Sequence, residues 1–366
     1  MVLNTEEAIN LISQPDKAAE VVNLCYISES NLGIERRLKG KSFQYFENGK
    51  RVKDPAVLKR IKNLVIPPAW KEVRICSLDN GHLQAIGRDL KNRKQYLYHP
   101  HWNQIRNQTK FFKLVSFAKM LPKIREQTEM DLKLPGMPRR KVVALVIRLM
   151  EETHIRIGND SYARQNKSYG LSTLRSRHLE FSKGCLKFNF VGKRGKEHSV
   201  SIRNKKLIKL VNQCEEIPGW EIFKYYDQDG QKKVLDSGMV NDYIQEICGE
   251  LYSAKDFRTW SASSIFFEQL RQRGYIEDEK ENEKAIIEAF DATAQALGNT
   301  RSVCRKYYVH PMIIDQYKSG GIQSYFEKIS RKRTVKPHIS PTEEVLLEML
   351  KDFELDLEQQ KKEKDS

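Results

Sequence analysis

The apolar residues change their period partway along the chain, and that change limits the folds open to it. Between about residues 36 and 98 they come in short alternating runs cut by turn signals. Phe43-Gln44-Tyr45-Phe46 leads into Glu47-Asn48-Gly49-Lys50, and Asn-Gly between extended segments predicts a hairpin closed by a type I′ turn. Residues 55–63 read as a helix with Pro55 in its first turn. Ile66-Pro67-Pro68-Ala69-Trp70 cannot lie inside a helix, because proline has no N–H to give the ladder. Strands are expected at 72–77, 82–87 and 95–98. Residues 1–32 read as a polar lead-in with one short helical stretch near 17–24.

Further on, the period becomes helical. Val143, Val146, Ile147, Met150 and His154 share one face of a helix that runs into Arg156 and stops near Gly158. A β segment interrupts: Leu186, Phe188 and Phe190 alternate, and Gly192-Lys193-Arg194-Gly195 turns the chain into a return strand at 199–202. Helical texture resumes near 206, and Ile286, Ala289, Phe290, Thr293 and Leu297 make a stripe stopped by Gly298. A basic breaker at 331–337 precedes Ser340-Pro341-Thr342-Glu343, a capping box with proline at the first helical position. Leu346, Leu350, Phe353 and Leu357 then mark an amphipathic acidic helix. The fold class expected is α+β: a small β-rich N-terminal domain over 1–105, and a mainly α-helical domain with a β-hairpin insertion over 106–330. A basic linker and acidic helix over 331–366 complete it. A chain of 366 residues suits two domains of ordinary size.

Charge narrows the choice of partner. The net charge is +16, and the tail 342–366 holds nine acids and four bases, which leaves residues 1–341 at +21. A body this basic points to a polyanion, with nucleic acid first and a merely soluble basic protein as the alternative. No apolar run nears the roughly 18 residues a bilayer crossing needs, and the first ten residues carry Glu6 and Glu7 without a signal-like segment. Membrane insertion and secretion are not expected. The six cysteines include no C-x-x-C pair, which favours free thiols in a reducing compartment over a zinc cage. Gly40-Lys41-Ser42 ends like a phosphate loop, but Glu35 occupies the position of the required upstream glycine. His99-Pro100-His101 lacks further ligands, so no metal site is expected.

Four segments carry chemistry together: Ile155-Arg156-Ile157-Gly158-Asn159-Asp160-Ser161-Tyr162, Phe190-Val191-Gly192-Lys193, Lys255-Asp256-Phe257-Arg258-Thr259-Trp260, and the run from Leu297 through Asn299 and Tyr308 to Pro311. Two arginines, a turn lysine and a tyrosine suit attack on a phosphodiester without a metal. A phenol of pKa near ~10 is a poor nucleophile at neutral pH, and the diester anion repels its charged form. Two permanently charged, forked guanidiniums can hold both non-bridging oxygens and stabilise the extra charge of the five-coordinate state. A partly desolvated lysine can protonate the departing sugar alkoxide, and an amide such as Asn299 can add one hydrogen bond. The phosphotyrosine ester formed is close in energy to the diester consumed, so the step reverses without ATP.

With these segments the chain resembles the type IB DNA topoisomerases, specifically the compact branch of poxviruses, giant viruses and bacteria. The likeness runs in order from about Ile34 to Tyr325. Ile66–Trp70 and Arg93-Lys94-Gln95-Tyr96-Leu97-Tyr98 resemble that family's N-terminal domain, and Tyr169-Gly170-Leu171-Ser172-Thr173-Leu174 continues its catalytic domain. The resemblance implies that Arg156 and Arg258 clamp phosphate, Lys193 is the general acid, and Tyr308 is the nucleophile that becomes linked to a DNA 3′-phosphate. Poxviral members carry histidine nine residues before the tyrosine; Asn299 stands there, as in the bacterial branch, and an amide donates without titrating. Gln95, Tyr96, Tyr98, Tyr162 and Lys255 match positions expected at the DNA. The resemblance further implies a monomer that closes around duplex DNA, needs no cofactor, and works in the cytoplasm on nucleoid DNA or in a viral particle or factory. Binding should be steeply salt-sensitive, because phosphate contacts release counterions.

Each residue also has a plainer reading. Arg156 also reads as a helix-terminal arginine on carbonyls, Lys193 as a solvated turn lysine, and Arg258 as the ion-pair partner of Asp256 or another acid. Tyr307, Tyr317 and Tyr325 compete with Tyr308. Tyr96 and Tyr98 share one side of a strand, where half-buried packing competes with DNA contact. His154 extends an apolar stripe and reads as a core histidine. At the level of function the rivals are a tyrosine recombinase, which usually has histidine where this chain has Lys255, and a DNA-binding relative without activity. For the acidic tail, simple packing competes with a DNA-mimicking cover.

Overall fold

The structure, a computed structural model, describes residues 2–3, 5–40, 42–90, 92–351, 353 and 355–356; Lys41 and Leu357, named above, lie outside them. It is a mixture of helices and small antiparallel sheets. The described residues divide into two compact units, 2–113 with 355–356 and 114–353.

In the first unit β1 (Val2–Leu3), α1 (Thr5–Ser13) and α2 (Pro15–Val21) precede β2 (Ile34–Lys39), β3 (Ser42–Glu47) and β4 (Lys50–Arg51). Then come α3 (Pro55–Asn63), β5 (Lys71–Ile75), β6 (Leu83–Arg88), β7 (Lys94–Tyr98) and the start of α4 (Pro100–Asp131). Strands β2 to β7 form one antiparallel sheet in the order β4-β3-β2-β5-β6-β7. Glu47 pairs with Lys50, and both residues between them have positive φ, 48° at Asn48 and 77° at Gly49, as a type I′ turn demands. Asp54 caps α3 by accepting from Ala56 N at 2.8 Å. The two prolines leave backbone carbonyls that no ladder satisfies. Arg36 supplies the donors, reaching the carbonyls of Ile66, Pro67 and Trp70 at 3.4, 3.1 and 2.7 Å. Trp70 then packs on the core of Ile34, Ile61, Val73, Ile75 and Ala85, over Gly87, where a Cβ would come within 2.8 Å of its ring. The expected lead-in is more ordered than its polarity suggested: α2 buries Ala18 and Ala19 with Trp102 and Ile105 of α4.

The second unit holds the rest of α4, then α5 (Arg139–Thr153), α6 (Asp160–Asn166), β8 (Leu179–Ser182), β9 (Cys185–Val191), β10 (Glu197–Ile202), α7 (Lys205–Glu215), β11 (Lys224–Tyr226) and β12 (Lys232–Val234). Helices α8 (Ser237–Cys248), α9 (Ala254–Arg273), α10 (Glu279–Leu297), α11 (Arg301–Tyr307), α12 (Pro311–Lys318), α13 (Ile322–Arg331) and α14 (Pro341–Leu350) follow. Beyond them β13 (Leu355–Asp356) pairs with β1 in the first unit. The division between units falls inside α4 rather than at 105, because one continuous helix carries the chain across it.

Two expectations are corrected by packing. Helix α5 is buried beyond the one apolar face expected: Val142 through Ile147 are all buried, with α7, α8, α9 and β10 around them. It also stops sooner, at Thr153, where His154 adopts φ 53° and ends it in place of Gly158. The β insertion has a third strand, β8, hydrogen-bonded to β9 in the order β10-β9-β8. The alternation of Leu186, Phe188 and Phe190 is buried as expected. Gly298, at φ 59°, closes α10. The acidic tail helix packs: Val345, Leu346, Met349 and Leu350 are buried and α14 lies against α9 and α13. It ends at Leu350, and Phe353, expected in its stripe, packs edge-on to the His310 ring with centroids 4.6 Å apart.

Candidate active site

Arg156 lies past the end of α5, in an extended segment held by backbone pairing. Its carbonyl accepts from Leu171 N at 2.9 Å, and the Ile157 carbonyl accepts from Ser172 N at 2.7 Å. Two glycines let these segments touch. A Cβ on Gly170 would come within 2.5 Å of the Arg156 carbonyl, and Gly158 sits at φ 102° against Gly170. The Tyr169–Leu174 segment is therefore the mount for Arg156. Its guanidinium donates to Asn299 Oδ1 at 2.5 Å, so the helix-terminal alternative does not hold.

Lys193 stands at the β9–β10 turn, where Gly192 N donates to the Lys196 carbonyl at 2.7 Å and Arg194 and Gly195 take positive φ. The hairpin register sets His198 opposite Phe190, and the two rings stack with centroids 5.0 Å apart. His198 was not singled out in the sequence, although a turn at 192–195 already implies that pairing. A Cβ on Gly192 would lie 2.7 Å from the His198 ring, and one on Gly298 would collide with it. Two glycines thus hold one imidazole between the lysine turn and the end of α10. Lys196 Nζ closes the same junction by donating to the Asn299 carbonyl at 3.3 Å.

Arg258 projects from the first turns of α9. Asp256 is occupied in the capping box, accepting from Ser253 N at 2.8 Å, so the Asp256–Arg258 ion pair does not form. Arg258 is only 6% exposed. Its Nη1 donates to the His154 carbonyl and its Nη2 to the Leu297 carbonyl at 2.9 Å, while Nε is buried without an acceptor. Asn299 Nδ2 is likewise buried without an oxygen or nitrogen acceptor. Tyr308 follows α11 directly; its carbonyl accepts from Ser263 Oγ of α9 at 3.2 Å, and its ring centre lies 5.9 Å from the Arg258 guanidinium carbon.

The other tyrosines lie elsewhere. Tyr307 is 42% exposed beneath Lys306, Tyr317 is buried and donates to the Gly274 carbonyl at 2.7 Å, and Tyr325 sits under Lys328. Arg156, Lys193, His198 and Arg258, with His154, line one small pocket. Partial desolvation, then Arg156, hold the Lys193 ammonium below its ordinary pKa, and Tyr308 opposes them. Burial, then Arg156, push Arg258 down to about 10, again against Tyr308. Burial and the neighbouring cations bring His198 to about 4, and burial with Arg258 brings His154 to about 4. Burial is the first cause of all four shifts and a neighbouring arginine the second, so the pocket disfavours further positive charge.

The expected DNA-side residues vary in availability. Tyr162 on α6 and Lys255 on α9 are exposed, and Lys255 acts electrostatically on Lys193. Gln95, Tyr96 and Tyr98 belong to the first unit. Gln95 donates to Asp89 at 3.0 Å; Tyr98 packs against the α2–α4 core; Tyr96 is exposed and stacks on Tyr98 at 5.9 Å. His99 and His101 stack edge-on, and among the described residues no group of three or more His, Cys, Asp or Glu could hold a metal.

A buried cationic pocket with a phenol beside it suits a phosphodiester, and comparison with known proteins gives the class. Residues 99–335 match the family model of the eukaryotic DNA topoisomerase I catalytic core, and residues 42–89 that of the bacterial DNA topoisomerase IB N-terminal domain. The chain belongs to the type IB DNA topoisomerase family. Among its relatives, DNA topoisomerase 1B of Acanthamoeba polyphaga mimivirus is 35% identical over 296 residues, covering 78% of this chain and 88% of the relative. DNA topoisomerase 1B of Vaccinia virus (strain Copenhagen) is 22% identical over 236 residues, covering 64% and 72%.

Proposed function

We propose that this protein relaxes supercoiled duplex DNA by cutting and resealing one strand through Tyr308. The Tyr308 oxygen attacks the scissile phosphorus as its proton passes to solvent, the bond from phosphorus to the 5′-oxygen breaks, and a 3′-phosphotyrosyl ester forms. Arg156 and Arg258 hold the non-bridging oxygens, and the unused Arg258 Nε–H and Asn299 Nδ2 are donors suited to the charge that develops there. Lys193 gives its proton to the departing 5′-oxygen; its lowered pKa makes that transfer easier than for a solvated lysine. Guanidinium charge takes the part a divalent ion plays elsewhere, and the positive field of the pocket would repel such an ion. The free 5′-end turns about the intact strand, and the reverse step reseals it.

The observation that carries this reading is the meeting of four separate stretches of chain: Arg156 bonds Asn299, the Arg258 guanidinium lies 5.9 Å from the Tyr308 ring centre, and Lys193 is within electrostatic reach of both Arg156 and Tyr308. The protein is read as a monomer, with Tyr96, Tyr162 and Lys255 available to the duplex and Gln95 and Tyr98 placed beside Tyr96. Supercoiled plasmid tests the function, with mass spectrometry of the trapped adduct testing the nucleophile. Wild type should yield a ladder of topoisomers and a DNA-linked peptide containing Tyr308, and Tyr308→Phe neither. An adduct on Tyr307, or relaxation by Tyr308→Phe, defeats the assignment.

A further inference from the structure

Helix α14 lies beyond the residues that match the catalytic-core family, 99–335, yet it is anchored behind two residues of the site. Its Glu343 carboxylate accepts from Arg125 Nη1 and Nη2 at 2.9 and 2.8 Å, from Trp260 Nε1 at 2.9 Å, and from Ser340 N at 3.0 Å. Trp260 is two residues past Arg258 on α9. The same Arg125 pairs with Glu151 of α5 at 2.7 Å, three residues before the His154 carbonyl that receives Arg258. One buried network thus joins α4, α5, α9 and α14 around the mount of Arg258. Burial raises the Glu343 pKa, but the Arg125 bonds outweigh it and hold the carboxyl down to about 2, so the network stays ionised at working pH.

A second contact reaches Tyr308. Ser263 Oγ of α9 donates to the Tyr308 carbonyl at 3.2 Å and accepts from His310 N at 3.1 Å, and the His310 ring lies edge-on to Phe353. We propose that α14 and Phe353 form a clasp that positions Arg258 and Tyr308 relative to each other, with Glu343, Trp260 and Phe353 as its positioning residues. The proposal rests on the roles assigned to Arg258 and Tyr308 above. The physical need is precision: reacting groups must be held to about half an ångström, and a misplacement of about 1 Å can cost ~100-fold in rate.

The test uses the full chain and a duplex oligonucleotide whose cut fragment dissociates, which traps the covalent adduct. Adduct formation is timed at saturating enzyme, and DNA affinity is measured separately. Trp260→Phe removes the indole donor at the cost of a small cavity, and Phe353→Ala removes the ring on His310. Each should slow adduct formation about tenfold while affinity stays within about twofold, the pattern of lost transition-state geometry. Glu343→Gln should lose more, but it takes one of two carboxylates from a buried Arg125 and can unfold the domain, so the two milder variants decide. Unchanged rates in both, or rate losses matched by equal affinity losses, overturn the clasp. Tyr308→Phe is run alongside: an adduct there overturns the reading of the nucleophile and the clasp with it, whereas no adduct there with unchanged rates in the mild variants rejects the clasp alone.

Discussion

Replacing Arg258 with lysine keeps a positive charge in place and removes the fork that carries it. In the native site Nη1 and Nη2 each give one proton to a carbonyl, of His154 and Leu297, and Nε gives none. A guanidinium has five N–H donors in one plane, so three are left for a phosphate without disturbing the two anchors. An ammonium has three donors on one nitrogen and cannot span two carbonyls and an anion together. Loss of one such donor aimed at developing charge costs roughly 2.7–4 kcal/mol, or about 10²–10³ in rate. A second signature comes from burial. The pocket pushes Arg258 well below its ordinary value, to about 10. A lysine starts from a lower pKa than arginine, so the same burial would push it down toward the neutral range. The variant should therefore lose still more activity between about pH 7 and 9, where the native guanidinium stays charged. Timed adduct formation on the trapping duplex at saturating enzyme, repeated across that range, measures both effects. A variant less than about fivefold slower, with the native pH profile, would refute the idea that the fork clamps phosphate.

Three other outcomes are expected. Lys193→Ala should slow cleavage about 10²–10⁴-fold; a substrate with sulfur at the 5′-bridging position needs no proton on leaving and should recover most of the rate, so a failure to recover removes Lys193 as the acid. Burial, then Arg258, pushes the folded His154 imidazole below its ordinary value, to about 4. Its neutral form thus contributes full stability above about pH 6.5, and this is lost as pH falls toward 4, on the order of 3 kcal/mol in all; a urea midpoint unchanged between pH 7 and 4.5 would contradict it. Gly298→Ala puts a methyl against the His198 ring at positive φ and should cost roughly 1–3 kcal/mol while slowing cleavage. Native melting and native rate together would show that the His198 seat is dispensable.

Much of this protein is legible in its sequence because much of it is decided locally. Asn48-Gly49 needs no distant residue to take positive φ, Gly298 stops α10 for the same reason, and the alternation around Phe188 marks a buried strand wherever it is placed. The candidate site residues could be named from the sequence because each sits in a short run of distinctive neighbours, and the +21 of residues 1–341 already called for a polyanion. Burial and contact across long separations are another matter. The period of α5 marked one apolar face, but only the surrounding helices and strands made Val142 to Ile147 buried throughout. His198 carries no motif, and its role appears only when the hairpin closes on Gly298. That the Tyr308 ring lies near the Arg258 guanidinium is visible only in the fold. Glu343 looked like half of a capping box and became the acceptor for an arginine 218 positions away. Turn geometry and periodicity are properties of a few consecutive residues, so the chain by itself determines them; electrostatic fields and packing depend on inverse distance in space, and only the tertiary structure brings Arg156 and Asn299, 143 positions apart, within a hydrogen bond.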